Sequence, residues 1–208
     1  MKKIMFNDKF GLTSAVLNGT KTMTRRILKV PITEYNAVNC ALNDDENLEA
    51  NKLAIIKKYA RYQEGEIVAV AQSYRELIEQ GYFRNEHGLI PVELCECGGY
   101  RNKMFVNADL MPHHIHTTGI KVERLQDISE DDALREGIFH YEQPPLHHKC
   151  DRFAPWPPYV KPYKHDNDNL KYRCTARFAF AYLIDKVSGT GTWNTNPWVL
   201  GYTFELAD

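Results

Sequence analysis

The sequence predicts an α+β domain: a small, mainly antiparallel β-barrel flanked by short helices. Three observations lead there. Residues 198–206 alternate, with Trp198, Leu200, Tyr202, Phe204 and Leu206 set against Val199, Gly201, Thr203 and Glu205, which is the period of a strand with one aromatic face buried. Ile67-Val68-Ala69-Val70-Ala71 is an unbroken apolar run of strand length, as expected of a strand covered on both faces. Short helical patterns separate the extended segments, and the chain ends on a strand. A barrel closed by that last strand would leave no exposed sheet edge.

The elements follow in order. Phe10, Leu12, Ala15, Val16 and Leu17 suit a short amphipathic helix, which Asn18-Gly19 ends because glycine accepts the left-handed cap conformation. Arg26-Ile27-Leu28-Lys29-Val30 reads as a strand stopped by Pro31, and the polar stretch 33–45 as a loop. Leu48, Leu53, Ile55, Ile56 and Tyr59 among Lys and Glu predict a surface helix over 46–62. Gly81, Gly88, Gly98 and Gly99 break 75–112 into hairpin-like pieces without an assigned element. Ile120, Val122 and Leu125 mark a strand. Ser129 then caps a short helix, with acids in its first turn, Ile128 stapled to Ala133 and Gly137 as the stop, so Glu136 lies at its C-terminal end. Residues 139–170 hold six of the ten prolines and exclude regular helix or central strand, which marks an irregular insertion rich in proline and aromatic residues. Ala176, Phe180, Leu183 and Val187 recur at helical spacing over 174–187.

Composition bounds the function. With 208 residues, 43% hydrophobic and 25% charged, the chain is expected to form one domain, 1–208, carrying the insertion, and neither disorder nor a fibrous repeat is indicated. The longest apolar runs are too short to cross a bilayer, and the N-terminus turns polar before any signal-type stretch develops, so a cytoplasmic protein without a membrane partner is expected. Five cysteines in no regular framework fit reduced thiols. Cys95 and Cys97, with His113, His114 and His116, are zinc-ligand types, but one short cysteine pair without a second is not a zinc pattern. His147-His148-Lys149-Cys150 is a weaker cluster still. No metal and no cofactor are expected. The net charge of −1 hides an uneven distribution, because residues 1–30 carry Lys2, Lys3, Lys9, Lys21, Arg25, Arg26 and Lys29 against Asp8 alone. Either that end presents a basic patch to phosphates, or it is a solvated surface balanced in space by Asp44, Asp45, Glu46 and Glu49.

Gly19-Thr20-Lys21-Thr22-Met23-Thr24-Arg25-Arg26 resembles the Gly-x-Lys-x-x-Thr-x-Arg signature of ASCH domains, a branch of the PUA-like superfamily. Val122 to Ile138 is similar to the strand-and-helix segment of the longer ASCH proteins common in bacteriophages and prophages, and so is Trp193-Asn194-Thr195-Asn196-Pro197-Trp198-Val199. The resemblance implies a PUA-like barrel with a pocket for a nucleoside or RNA. Some small ASCH proteins hydrolyse the acetyl amide of N4-acetylcytidine with a lysine and a threonine of this motif and a glutamate of the later helix. By position these are Lys21, Thr24 and Glu136, with Arg25, Arg26, Gln72 and Tyr74 as substrate-binding residues.

Amide hydrolysis needs a nucleophile, a base, an acid for the leaving amine and donors for the oxyanion. Lys21 beside Arg25 and Arg26 would have its pKa lowered by like charge and burial. Thr24 is either nucleophile or water-positioning group. Glu136 would hold the lysine, protonate the leaving nitrogen or bind the cytosine amino group. On a regular strand Lys21 and Thr24 would face opposite sides, so the backbone is expected to turn after Gly19. Many longer relatives carry a Val-Arg-Glu-type sequence where this chain has Val70-Ala71-Gln72-Ser73-Tyr74, and Gln72 can hydrogen-bond a base but cannot exchange a proton. Trp156, Tyr159 and Tyr163 among Lys161 and Lys164 either stack bases or pin the insertion to the barrel. The functional expectation is nucleoside or RNA binding with hydrolysis of an N4-acyl cytidine. The alternatives are a non-catalytic reader of RNA or modified DNA bases, and a protein-interaction module of a mobile element.

Overall fold

The computed structural model describes residues 1–141, 152–154 and 175–207. Among them the strands are β1 (Lys3–Ile4), β2 (Met23–Ile27), β3 (Ile67–Val70), β4 (His114–Arg124), β5 (Phe139–Tyr141), β6 (Arg152–Ala154) and β7 (Trp198–Leu206). The α-helices are α1 (Leu12–Leu17), α2 (Tyr35–Ala41), α3 (Leu48–Tyr59), α4 (Tyr74–Glu79), α5 (Val92–Glu96), α6 (Glu130–Arg135), α7 (Ala176–Ser188) and α8 (Thr192–Thr195). Five strands form a mixed sheet in the order β1-β3-β4-β7-β2, and β5 pairs with β6 in a separate ribbon. Within the sheet β1 and β3 are parallel and the other neighbours antiparallel. The class is α+β.

Strand alternation sorts the core. Val68 and Val70 of β3 join the main hydrophobic cluster with Ile4, Ile115, Leu200 and Phe204, while Ala69 and Ala71 face a second cluster around Tyr74, Leu77, Val106 and Met111. The strand is covered on both faces, as its unbroken apolar run predicts. Strand β7 occupies the alternating span, and α7 packs Phe180, Leu183 and Ile184 into the main cluster. Ser129 caps α6 by accepting from the Asp132 amide, and Gly137 follows at φ +94°.

The closed barrel does not form. Strand β7 lies inside the sheet, paired on one side with β4 and on the other with β2, so β1 and β2 are left as the two ends of the ladder. Strand β1 has only two residues before the chain turns into a 3-10 segment at Asp8–Phe10, too few to build rungs toward β2. A side chain bridges the gap instead: the Arg26 guanidinium donates to the Met5 carbonyl at 2.6 Å.

Three local expectations differ from the structure. Strand β2 begins inside the Gly19–Arg26 motif and ends at Ile27, because its register with β7 runs from Met23↔Thr203 to Ile27↔Val199. The polar stretch 33–45 contains α2, whose own residues are all at least partly exposed, so it carries no apolar stripe to read. Residues 75–112 hold short helices rather than hairpins, starting with α4, where Ser73 and Glu76 form a reciprocal capping box. Most of 139–170, including Trp156, Tyr159 and Tyr163, lies outside the described residues. No helix among the described residues is long and apolar enough to cross a membrane.

Candidate functional site

The motif residues are positioned by two helix ends. Helix α1 stops at Leu17, and Gly19 at φ +75° turns the chain so that the Lys21 amide donates to the Ala15 carbonyl at 2.8 Å. The next amide, of Thr22, donates to the Arg135 carbonyl at the end of α6, 3.0 Å away. Lys21 therefore precedes β2, strand alternation does not govern it, and its side chain turns inward until only 2% of the residue is exposed. Its ammonium has three donors and three acceptors: the Met23 carbonyl at 2.7 Å, the Glu136 carbonyl at 2.6 Å and Glu136 Oε2 at 2.7 Å.

Glu136 is shared. Its other oxygen, Oε1, accepts from Arg25 Nη1 at 3.1 Å. The remaining Arg25 donors are engaged too: Nε with Glu123 Oε1 at 2.7 Å, Nη2 with Asp132 Oδ2 at 2.8 Å and Glu123 Oε1 at 2.6 Å, and Nη1 with Met23 Sδ at 3.2 Å. Arg25 thus has no donor left for a ligand. Behind it Lys121 bridges Asp132 Oδ2 at 2.5 Å and Glu123 Oε2 at 3.0 Å. Gly201 lies between Arg25 and Lys121 in the sheet, and a Cβ there would stand 3.3 Å from Lys121 Cγ. The absent side chain leaves room for the charge network to cross β7.

Burial is the main influence on Lys21 and pushes its pKa below the ordinary lysine value, with Arg26 and Arg25 acting in the same direction and Glu136 opposing. Burial also disfavours the charge on Arg25, but Glu136, Glu123 and Asp132 outweigh it and raise its pKa. For Asp132 burial opposes ionisation, and hydrogen bonds from Lys121 and Arg25 overcome it, holding the carboxyl below its usual range.

A cavity of about 470 Å³ runs along β2 beside these groups. Lys21, Thr24, Arg25, Arg26 and Glu136 all line it. Its other walls come from the segment after β1 (Met5, Phe6), the turn after α3 (Arg61, Tyr62), α7 (Phe180, Leu183) and β7 (Leu200, Tyr202). It therefore occupies the seam between the two sheet ends. Thr24 and Arg26 stand opposite Tyr202 and Leu200 in register, and alternation gives those positions one face of the sheet. Thr24 is buried, yet its hydroxyl makes no hydrogen bond among the described residues, which leaves a donor and an acceptor for a ligand.

Gln72 and Tyr74 lie elsewhere. Gln72 follows β3, is buried, donates to Gln80 Oε1 at 3.4 Å and has its own carbonyl oxygen unpartnered among the described residues. The Tyr74 hydroxyl accepts from the Asn107 amide at 2.7 Å, and its ring meets Phe83 edge-on within the second cluster. Neither lines the cavity. Cys95 and Cys97 are exposed thiols, and among the described residues no three His, Cys, Asp or Glu side chains are grouped to hold a metal. Sequence reasoning missed Phe6, Arg61, Tyr62 and Tyr202 as walls, and Glu123 as a partner of Arg25. A readable signal existed for Tyr202, on the aromatic face of β7, and for Glu123, two residues from Lys121 on one strand face. No protein-family model matches the chain, and no curated protein or solved structure matches it either.

Proposed function

We propose that this chain is an ASCH-type protein of PUA-like fold whose cavity binds a nucleoside, free or within RNA, and hydrolyses an N4-acyl amide on its base. One observation carries the reading: the buried Lys21–Glu136 pair, 2.7 Å apart, shares one cavity with the unbonded hydroxyl of Thr24. A base enters between Phe6, Tyr62 and Tyr202, whose rings suit a flat aromatic guest.

The chemistry follows from that pair. Transfer of one proton from Lys21 Nζ to Glu136 Oε2 gives an amine and a carboxylic acid, and the burial that depresses the lysine pKa lowers the cost of this exchange. The amine then accepts the Thr24 proton as Oγ1 attacks the acyl carbon, and Glu136 protonates the departing N4 nitrogen. Water enters in place of the amine, the same exchange runs again, and the carboxylic acid and Thr24 are released.

Mass spectrometry of the pure protein with N4-acetylcytidine tests this. Cytidine and acetate should appear, and Lys21→Met should slow their release by about 100-fold or more. A second reading, a non-catalytic reader of nucleosides, is favoured by the three acceptors around Lys21 Nζ, which suit a resting ammonium that orders the pocket. Under that reading the wild type binds and releases no acetate.

A further inference from the structure

We infer that the mouth of the cavity is a phosphate subsite, so that its preferred ligand is a nucleotide, as a free monophosphate or as a residue of an RNA strand, over a neutral nucleoside. The inference rests on the nucleoside reading of the cavity floor. On the floor, Lys21 is matched by Glu136, and Arg25 by Glu123, Asp132 and Glu136. Beyond them the balance fails: Arg26, Lys29 and Arg61 line the same cavity, and among the described residues none has a carboxylate at ion-pair distance.

These cations flank an aromatic wall. The Arg26 guanidinium lies 5.9 Å from the Phe6 ring centre and that of Arg61 lies 5.7 Å from Tyr62, while Tyr62 and Tyr202 meet edge-on at 5.4 Å. Both arginines act on both tyrosines: burial raises the two phenol pKa values, and Arg26 and Arg61 each oppose that rise. Arg26 and Arg61 thus both stand against the aromatic wall of one cavity. An anion bound at this wall would supply the countercharge that neither guanidinium has among the described residues, and because Arg61 is exposed that attraction is open to screening by salt. Arg26 spends one contact on the Met5 carbonyl, which fixes the group and leaves N–H donors free for a phosphate.

Spacing points the same way. Thr24 and Arg26 are two residues apart on one face of β2, a separation of about 7 Å along the strand. That is comparable with the span from a pyrimidine ring to its own 5′-phosphorus. A base held at Thr24 therefore presents its phosphate to Arg26, with Arg61 across the seam and Lys29 farther out.

Calorimetric titration with cytidine, cytidine 5′-monophosphate and a short single-stranded RNA containing one cytidine tests the subsite. Cytidine 5′-monophosphate should bind about tenfold or more tighter than cytidine at low salt, and the gap should narrow as salt is raised. In Lys29→Ala/Arg61→Ala, at two exposed positions where folding is not at risk, the ratio of the two affinities should fall toward one. Tight binding of the monophosphate alone assigns the subsite to a free nucleotide, and tight binding of the RNA as well assigns it to a strand. Equal affinities for cytidine and its monophosphate in the wild type, or a gap unchanged by the double substitution, overturn the phosphate subsite and leave the nucleoside reading standing. If no probe binds, the nucleoside reading itself fails, and this inference with it.

Discussion

Arg25 is where sequence and geometry part most instructively at the scale of single residues. A cationic side chain in a ligand-binding motif reads as a ligand contact, but its side chain is fully buried and its donors are spent on Glu123, Asp132, Glu136 and Met23. Its task is to hold Glu136 in place for Lys21. Arg25→Met would leave three carboxylates short of a buried partner, and equilibrium urea unfolding should show a loss of about 3–5 kcal/mol. Arg25→Lys keeps the charge without the planar fork, so it should recover part of that stability and still release Glu136 from its fixed orientation. A stability equal to wild type in Arg25→Met would show that the network is ornamental. None of this was legible in the motif, since Glu123 and Asp132 lie about a hundred residues downstream, and only the sheet register for Glu123 and the placement of α6 for Asp132 bring them close.

At the scale of elements, α6 is the short lever on which Asp132 and Glu136 are mounted. Six residues cannot sustain a helix alone, so it depends on Ser129 at one end and Gly137 at the other. A side chain at position 137 would be held at φ +94°, with its Cβ 3.3 Å from Leu12 Cδ2 and 3.5 Å from Lys21 Cδ. Gly137→Ala should therefore cost about 1–2 kcal/mol in thermal or chemical unfolding and disturb Lys21 as well. Ser129→Ala should cost about 1 kcal/mol through the lost cap, with the Lys21 environment intact. Both helix signals were visible in the sequence, as were β7, β3 and α7, because each is written in local periodicity or in a cap. Helix α2 was not, since its residues bury no stripe, and α4 was missed although Ser73 and Glu76 carry a capping-box spacing. The failed closure of the barrel was illegible for a different reason. Whether β1 meets β2 depends on pairing between distant segments, and nothing in Lys3–Ile4 itself reports how few rungs it makes.

For the whole molecule, charge burial sets the response to acid. Asp132 has a folded-state pKa below its ordinary value of 3.8, so the unfolded chain takes up the proton first, and the stability from its contacts is present above that value and lost as pH falls through the folded one. Urea midpoints should decline below pH about 4, and the decline should be shallower in Asp132→Asn. Lys21 has the opposite arrangement: with its folded pKa depressed, the unfolded chain holds the proton longer, so its contribution to stability rises with pH between the folded value and 10.5. Lys21→Met should remove that rise. The unclosed seam has a consequence of another kind. Because one arginine-to-carbonyl contact spans it where rungs would otherwise stand, its gape can change without breaking a single bond of the ladder. The rim that a guest meets is therefore set by a side chain, and exchanging Arg26 would retailor what enters while the five-stranded ladder stays as it is.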